Sequence, residues 1–362
     1  MYYILGGEKM KAKKILSLCL AAAVIIGMVG CQSKGNDETA QSGNDTQTET
    51  PAETPAEKVT LKIGQANFAA HGTKAFAVVT TVVSGDEIVS AYIDEFQYMS
   101  ADTSTGVPNS EGMADNVIEG KVLGSKRENN ETYSKNMAEK AGSTVEIATN
   151  FDVIQDFVKG KKISELEELV GKSAEEVVDA VTGATLADTT GYIQAVLEAA
   201  KQADSTTGVE FDGNVEDLTL AQTYSAAHGT KSFTITSVLV NGDEVVLAYI
   251  DELQYMAADT TTGVANSDAD LAENYAEGKV LGSKRANAES YSKNMAEKAG
   301  STVAIDANFD AIQEFVEGKK ISELEEVTGK TAEEVIDAVS GCTLADTTGY
   351  ITAVIEAAKA AK

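Results

Sequence analysis

Residues 74–98 read KAFAVVTTVVSGDEIVSAYIDEFQY, and this stretch decides the fold class. Its first part is dense in Val, Thr, Ala and Phe, which favour a pleated strand. A turn of Ser, Gly and Asp follows at 84–86, after which Val89, Ala91 and Ile93 alternate with more polar side chains. Two strand-like runs joined by a short turn predict a β-hairpin.

The hairpin belongs to a sequence that is duplicated within the chain. Ala-Ala-His-Gly-Thr-Lys at 69–74 recurs at 226–231, and Lys-Val-Leu-Gly-Ser-Lys-Arg at 121–127 recurs at 279–285. The first pair is separated by 157 positions and the second by 158, which indicates one inserted residue. We therefore expect two tandem copies of one small domain.

The copies are placed at 59–203 and 217–362, and a segment rich in Thr, Gly, Asp and Asn links them at 204–216. Each copy has about 145 residues, a usual size for a single domain. In the second copy the hairpin turn is Asn241-Gly242, the strongest short signal for a hairpin.

Helical patterns follow the hairpin in each copy. In the first copy they lie at 130–141, 150–159 and 192–201. Two capping boxes, Ser164 with Glu167 and Ser173 with Glu176, each predict the start of a short amphipathic helix. Strands first and helices later favour an α+β fold over a wound parallel sheet.

The first thirty residues have the composition of a secretory signal. Lys11, Lys13 and Lys14 precede an apolar run at 15–29, which is shorter than the roughly 20 residues that a spanning helix needs. The run ends in Met-Val-Gly-Cys, which resembles the lipobox of bacterial lipoproteins. The resemblance implies removal of residues 1–30 and acylation of Cys31, for example with palmitate. The alternative is an ordinary secretory signal with an incidental cysteine.

Two further expectations concern the residues around this signal. Residues 31–58 are mostly Ser, Thr, Asn, Asp, Glu and Gln, which cannot bury a core, so we expect a disordered tether. Gly6-Gly7-Glu8 can be encoded by a stretch that resembles a ribosome-binding site, which makes Met10 rather than Met1 the expected start.

Charge and cysteine content exclude several classes of protein. Asp and Glu number 57 against 29 Lys and Arg, for a formal net charge of −28, which argues against a nucleic-acid partner. Of three cysteines, Cys19 leaves with the signal and Cys31 is acylated. Cys342 alone then remains, so neither an intramolecular disulfide nor a Cys-ligated metal site is expected.

The motif that carries chemistry lies near the end of each copy. Residues 179–185 read DAVTGAT and residues 337–343 read DAVSGCT. The pattern Asp-x-x-Ser/Thr-Gly-Ala-Thr resembles the flavinylation signature of the FMN-binding domain family. That family includes the C subunit of the sodium-translocating NADH:quinone reductase and the G subunit of the Rnf complex. The whole chain is similar to the PplA-type two-domain flavinylated lipoproteins of extracellular electron transfer.

The resemblance implies two covalent FMN groups, attached through phosphoesters to Thr185 and Thr343 by an FAD-dependent, Mg-requiring flavin transferase. A phosphoester needs an oxygen on the acceptor, and a glycine before it lets the backbone bend and another protein approach. A helix beginning just after the threonine would bring free N–H groups near the phosphate. The implied cofactor-binding positions beside the acceptors are Asp179, Gly183, Ala184, Asp337, Gly341 and Cys342. The two aspartates are expected to serve transferase recognition or to orient the hydroxyl.

The same residues have a structural alternative, a helix C-cap followed by an N-cap. The chain also departs from the family pattern, because Cys342 replaces the usual Ala and Leu186-Ala187-Asp188 replaces a Thr-Ser pair. Contacts with the flavin ring are therefore not transferred from the respiratory complexes.

Other candidates lie outside the motif. His71 and His228 precede the two hairpins and could contact the flavin or relay protons, or be turn histidines. Aromatic and sulfur side chains at the strand ends could pack on a flavin or in the core; they are Tyr98, Met99, Tyr255 and Met256. The basic segments 125–127 and 283–285 could balance a phosphate or be solvated. The Glu-rich runs at 165–168 and 323–326 are expected to be solvated helix faces.

These features together predict an electron carrier at the extracytoplasmic face of the cell membrane. The expected donor is a membrane quinone/NADH dehydrogenase system, and the expected acceptors are extracellular, such as ferric iron. One alternative is the flavin-bearing component of an extracellular reductase. The other is a flavin-free substrate-binding or surface lipoprotein.

Overall fold

The computed structural model describes residues 58–362. The expected signal, the expected acylation site at Cys31 and residues 32–57 of the expected tether lie outside the described residues. Among those that are described, no helix has both the length and the apolar character that crossing a membrane requires.

Five antiparallel strands form the sheet of the first half of the structure, residues 58–211. The hairpin is confirmed, since β2 (Ala75–Ser84) pairs with β3 (Glu87–Ser100). Sequence reasoning missed β1 (Val59–Phe68) beside β2 and β4 (Lys121–Ser125) beside β3. The segment expected to be a linker supplies β5 (Val209–Phe211), which pairs with β1. The order across the sheet is β4-β3-β2-β1-β5.

The second half, residues 212–362, contains a four-stranded antiparallel sheet in the order β6-β7-β8-β9. Its strands are β6 (Leu218–Ser225), β7 (Ser232–Asn241), β8 (Glu244–Ala257) and β9 (Lys279–Ser283). The turn between β7 and β8 contains Gly242 at φ +60°, a left-handed conformation that glycine adopts at little cost. The hairpin is confirmed, but Asn241 ends β7 and pairs with Glu244, so the turn residues are Gly242 and Asp243 and the predicted Asn241-Gly242 turn is wrong by one residue.

Helices follow the strands in each half. In the first half they are α1 (Ser110–Met113), α2 (Asn130–Ala141), α3 (Ile147–Val158), α4 (Ile163–Val170), α5 (Ala174–Ala180) and α6 (Thr189–Ala203). In the second half they are α7 (Ala288–Ala299), α8 (Ile305–Val316), α9 (Ile321–Thr328), α10 (Ala332–Ala338) and α11 (Thr347–Ala360). Antiparallel sheets with segregated helices are compatible with the expected α+β class.

One capping box is confirmed and the other is wrong. The backbone N–H of Ser173 donates to Glu176 at 3.1 Å, as expected at the start of α5. By contrast, α4 begins at Ile163, so Ser164 already lies inside the helix, and Glu165 accepts from the N–H of Lys162 at 3.0 Å. Only Ser164 with Glu167 fits the capping pattern, whereas the observed N-cap is Lys162, whose side chain cannot accept a hydrogen bond, so the actual start of the helix carries no capping signature.

Each sheet has one face covered by helices. In the first half, Val79 and Ile93 of the sheet pack with Phe151, Ile154 and Tyr192 of the helices, and all five are buried. Helices α8 to α11 cover the second sheet in the same way. Each helix has its apolar residues on one side, and packing that side against the sheet removes the apolar surface of both from water.

The other faces of the two sheets pack against each other. Phe76 and Phe96 stack with ring centroids 5.3 Å apart, and Phe96 meets Phe233 of the other sheet at 5.9 Å. A second apolar cluster joins Leu61 and Val82 to Leu239 and other residues of the second half. Strand β2 is consequently buried on both faces. The result is a body of four layers, with helices outside and two sheets inside.

A closed group of polar side chains lies within this interface. The hydroxyl of Thr80 donates to Gln222 at 2.9 Å and lies 2.8 Å from that of Ser237. Gln65 donates to Thr80 at 3.1 Å, and Ser237 donates to Gln222 at 3.0 Å. These hydrogen bonds form only when β1 and β2 of the first sheet face β6 and β7 of the second sheet in one relative position. The group therefore fixes how the two sheets are aligned.

Candidate functional site

The motif residues form an exposed loop after α5 in the first half and after α10 in the second. Gly183 has φ +101° and Gly341 has φ +86°, conformations in which an L side chain is strained. The threonines that follow, Thr185 and Thr343, are exposed. The loop therefore presents a hydroxyl to the surface on a backbone that requires glycine.

A buried asparagine holds each threonine in place. Oδ1 of Asn150 accepts from the backbone N–H of Thr185 at 2.7 Å and lies 3.3 Å from its hydroxyl oxygen. Asn308 makes the same contacts with Thr343, at 2.7 Å and 3.4 Å. Both amides also donate to the carbonyls that precede their helix, for example Asn150 to Glu146 at 3.0 Å.

Sequence reasoning missed these two asparagines, although a signal was present. Asn150 immediately precedes Phe151 and lies on the same helix as Ile154 and Val158, which are all buried. A wholly buried amide among apolar helix residues normally has a structural or functional partner.

Each threonine lies at the edge of a large cavity. The first has a volume of about 760 Å³ and the second of about 960 Å³. The residues predicted from sequence that line the first cavity are His71, Tyr98, Met99, Lys126 and Thr185, and those that line the second are His228, Tyr255, Met256, Lys284 and Thr343. The structure thus gathers positions that are far apart in sequence.

Other predicted positions do not line the cavities. Asp179 and Asp337 are exposed on α5 and α10. Gly183 is exposed and Ala184 is buried beneath the loop. Glu167 and Glu168 are solvated, as expected, but Leu166 between them is buried.

Cys342 occupies the place of Ala184 in the second half. Its side chain is buried, and its Sγ lies 3.2 Å from the hydroxyl oxygen of Thr347. The side chain therefore points into the protein and leaves Thr343 as exposed as Thr185. The larger residue does not alter the contact of Thr343 with Asn308.

Each histidine is oriented by an aspartate that sequence reasoning did not select. Nδ1 of His71 lies 2.6 Å from a carboxylate oxygen of Asp188, and Nδ1 of His228 lies 2.6 Å from Asp346. A proton on Nδ1 satisfies this contact and leaves Nε2 as the second ring nitrogen. Both histidines are about half exposed.

The start of α6 differs from the expected anion site. The helix begins at Thr189, four positions after Thr185. The N–H groups of Thr189 and Gly191 already donate to the carbonyls of Leu186 and Asp188, at 3.1 Å and 2.9 Å. These two donors are thus used within the turn, so the expectation of free helix N–H groups beside the phosphate is wrong for them.

A buried ion pair forms the floor of each cavity. Lys126 is 1% exposed and pairs with Glu95, which also accepts from the hydroxyl of Tyr192 at 2.8 Å. The interpretation of Lys126 as a solvated basic position is therefore wrong. Burial alone would lower the pKa of Lys126, but the adjacent Glu95 carboxylate and Tyr133 raise it above its usual value. The ammonium group consequently stays charged.

The two buried glutamates differ in their remaining contacts. Oε1 of Glu252 accepts from Ser232 at 2.8 Å and lies 3.4 Å from the hydroxyl of Thr234. In the first half, Ala75 and Ala77 occupy these positions, and Oε1 of Glu95 has no hydrogen-bond partner within residues 58–362.

This difference predicts opposite effects of two substitutions. Ser232→Ala should lower the free energy of unfolding by about 1–3 kcal/mol, because it leaves a buried carboxylate oxygen without its donor. Ala75→Ser should raise it by about 0.5–1.5 kcal/mol, because it supplies the missing donor. Urea denaturation of both variants beside the wild type measures this, and equal stability of all three proteins would contradict the prediction.

A pair of hydrogen-bonded tyrosines lies between the two cavities. The hydroxyl oxygens of Tyr98 and Tyr255 lie 2.5 Å apart, and each tyrosine lines one cavity. Both are at least nine-tenths buried, and Tyr275 packs edge-on against both rings at about 6 Å. The expectation that these tyrosines belong to the core is confirmed. They lie in the apolar cluster between the two sheets, and this cluster separates the two cavities.

Residues 58–362 contain no group of three or more His, Cys, Asp or Glu side chains arranged to hold a metal ion. Comparison of the chain with protein-family models, with curated proteins and with solved structures finds no match.

Proposed function

We propose that this chain is an extracytoplasmic, lipid-anchored electron carrier made of two tandem FMN-binding domains. One observation carries the proposal. In each half, an exposed threonine in a loop that requires glycine is held by a buried asparagine at the edge of a cavity of cofactor size. FMN would be attached to the hydroxyls of Thr185 and Thr343 through phosphoesters.

The loop suits modification by a second protein. Thr185 is exposed, and Gly183 has no side chain to obstruct an approaching active site. Asp179 is exposed on the helix before the loop and is available for recognition by an FAD-dependent, Mg-requiring flavin transferase. Asn150 orients the acceptor, because it holds the backbone N–H and lies near the hydroxyl.

The lining of each cavity suits the cofactor. Aromatic and sulfur side chains supply flat apolar contacts, among them Met99, Tyr133 and Met137 in the first cavity. Lys140 is exposed at the cavity and supplies positive charge for the phosphate or the reduced ring, and His71 is oriented by Asp188. FMN, when bound, supplies reversible one- and two-electron chemistry, and the protein supplies orientation and electrostatics.

The tyrosine pair supports transfer of electrons between the halves. Tyr98 and Tyr255 connect the two cavities through a single hydrogen bond in the buried core. Burial raises the pKa of Tyr98 well above its ordinary value, so the phenol keeps its proton. Because the two sheets pack face to face, the distance between the sites does not depend on the motion of a linker.

The remaining parts of the proposal rest on the sequence. Acylated Cys31 would anchor the protein at the outer face of the cell membrane, and residues 32–57 would tether it. A membrane quinone/NADH dehydrogenase system would be the donor, and extracellular acceptors such as ferric iron would receive the electrons. The net charge of −28 favours cationic or metal-bearing partners.

The proposal is tested by counting flavin that survives denaturation in acid. The full chain is coexpressed with a flavin transferase in medium containing Mg²⁺, then denatured and separated from free flavin. We expect two flavins per wild-type chain, one in Thr185→Ala, one in Thr343→Ala and none in the double variant.

Thr182→Ala is a matched control, because Thr182 is an exposed threonine in the same loop and should leave the count at two. Full flavin content in the double variant would contradict the assignment. A wild type without flavin would instead favour a binding lipoprotein that uses the cavities for another ligand.

A further inference from the structure

The two halves differ at one position of the interface between the sheets. In β6, the hydroxyl of Tyr224 donates to a carboxylate oxygen of Asp94 on β3 at 2.6 Å. Its ring packs edge-on against Phe96 with centroids 5.1 Å apart. The residue 157 positions before Tyr224 is Asn67 of β1, and the residue 157 positions after Asp94 is Asp251 of β8. Strand β1 packs against β8 as β6 packs against β3.

A cavity of about 370 Å³ lies where the shorter asparagine replaces the tyrosine. Its lining includes Asn67, Tyr249, Asp251, Val264, Ser283 and Arg285. This space is separate from the two threonine cavities, because it shares no lining residue with either.

One hydrogen-bond acceptor in the cavity lacks a donor, and a second, the carboxylate of Asp251, accepts one hydrogen bond fewer than the matching carboxylate of Asp94. Oδ1 of Asn67 is buried and has no hydrogen-bond partner within the described part of the chain. Asp251 is 4% exposed, and its carboxylate accepts from Ser283 at 2.5 Å and from the N–H of Glu252 at 2.7 Å. In the first half the matching carboxylate of Asp94 accepts the Tyr224 phenol as well as Ser125.

Arg285 does not make this cavity an anion site. Its guanidinium donates to Asp310 at 2.8 Å, to Gln313 at 2.6 Å and to the carbonyl of Ile250 at 2.5 Å. The charge of Arg285 is therefore compensated, and Glu198 adds a further carboxylate to the lining. A neutral ligand with a hydroxyl donor fits this charge distribution better than an anion does.

We propose that this cavity is a binding site for a small phenol. The phenol hydroxyl would donate to Asp251. The aromatic ring would occupy the space beside Asp251 that is equivalent to the space filled by the ring of Tyr224 beside Asp94. The protein itself contains the equivalent contact, because the phenol side chain of Tyr224 donates its hydroxyl to the matching carboxylate of Asp94. The proposal goes beyond the flavin sites and needs no cofactor.

The experiment uses 4-methylphenol, which is the side chain of tyrosine, and toluene, which lacks the hydroxyl. Binding to the flavin-free full chain is followed by calorimetry and by the NMR signals of the Asn67 side-chain amide. We expect saturable binding of 4-methylphenol with a dissociation constant of about 1 mM or lower, and at least about tenfold weaker binding of toluene. Equal binding of the two compounds, no saturable binding, or water alone in the cavity would overturn the proposal.

Two variants locate the site. Asn67→Tyr fills the cavity from within and should abolish the binding of 4-methylphenol measured by calorimetry, while raising the melting temperature. Tyr224→Asn opens the matching space beside Asp94 and should add a second binding event. Binding to Asn67→Tyr with wild-type affinity would place the phenol in the threonine cavities and overturn the proposal. If either variant fails to fold, the comparison of 4-methylphenol with toluene at the Asn67 signal of the wild type still decides.

Discussion

Replacing Lys126 by methionine should lower the free energy of unfolding by about 3–5 kcal/mol, because it leaves a buried carboxylate without its counter-charge. Glu95 is completely buried, and Lys126 is its ionic partner. After the change, the hydroxyl of Tyr192 is the remaining side-chain donor to this carboxylate among the described residues. Chemical denaturation at neutral pH measures the loss.

The second half offers a matched control. Lys284 pairs with Glu252 in the same buried position, but Ser232 also donates to Glu252 at 2.8 Å. Lys284→Met should therefore cost less than Lys126→Met. Adding Glu95→Gln to Lys126→Met should recover most of the lost stability, since removing both charges of a buried pair is often close to neutral. Equal losses in the two single variants would show that the hydroxyl donors do not compensate the charge.

Asn150→Ala should remove the flavin from Thr185 and leave the flavin on Thr343. This expectation rests on the proposed function. Asn150 fixes the acceptor loop through the N–H of Thr185 and anchors the start of α3 through two carbonyls. Its loss leaves the N–H of Thr185 without its partner and removes the side-chain donor to both carbonyls, which should also lower the free energy of unfolding by about 1–3 kcal/mol. The flavin count after acid denaturation and a denaturation curve give the two readouts.

Asn308→Ala is the matched control and should have the reverse selectivity, with loss of flavin at Thr343. Asn150→Asp keeps an oxygen that can accept from the N–H of Thr185 but loses the amide donor. It should therefore retain more flavin than Asn150→Ala. Unchanged attachment in Asn150→Ala would show that the loop is positioned by the glycine conformation alone.

Local features of the fold could be predicted because they depend on neighbours in sequence. The hairpin follows from strand-forming runs on either side of a short turn, and the start of α5 follows from Ser173 and Glu176. The need for Gly183 follows from a backbone that must turn sharply. The start of α4 was misplaced, because Ser164 with Glu167 fits the capping pattern while the true N-cap, Lys162, has no side-chain acceptor that the pattern could detect.

The candidate site was predicted in part. The exposed threonine and the glycine before it were identified from one short motif, and the cavity gathers His71, Tyr98 and Lys126 around that threonine. Asn150 and Asp188 were missed, because a lone amide or carboxylate has no distinctive spacing. Neither alternative for Lys126, balancing a phosphate or being solvated, anticipated its buried pairing with Glu95, because a basic residue beside Arg127 resembles a surface segment until its buried partner is known.

The sequence by itself determined the internal sequence repeat, the hairpins, the glycine loops and the excess of negative charge, all of which are properties of short segments or of composition. Only the tertiary structure decided that the two sheets share a core and that Tyr98 meets Tyr255 between the cavities. It also decided that a cavity remains between Asn67 and Asp251, whereas Tyr224 fills the equivalent space beside Asp94. These contacts join residues 157 and 130 positions apart, and they form only because the apolar faces of the two sheets leave water by packing together, which no local pattern encodes.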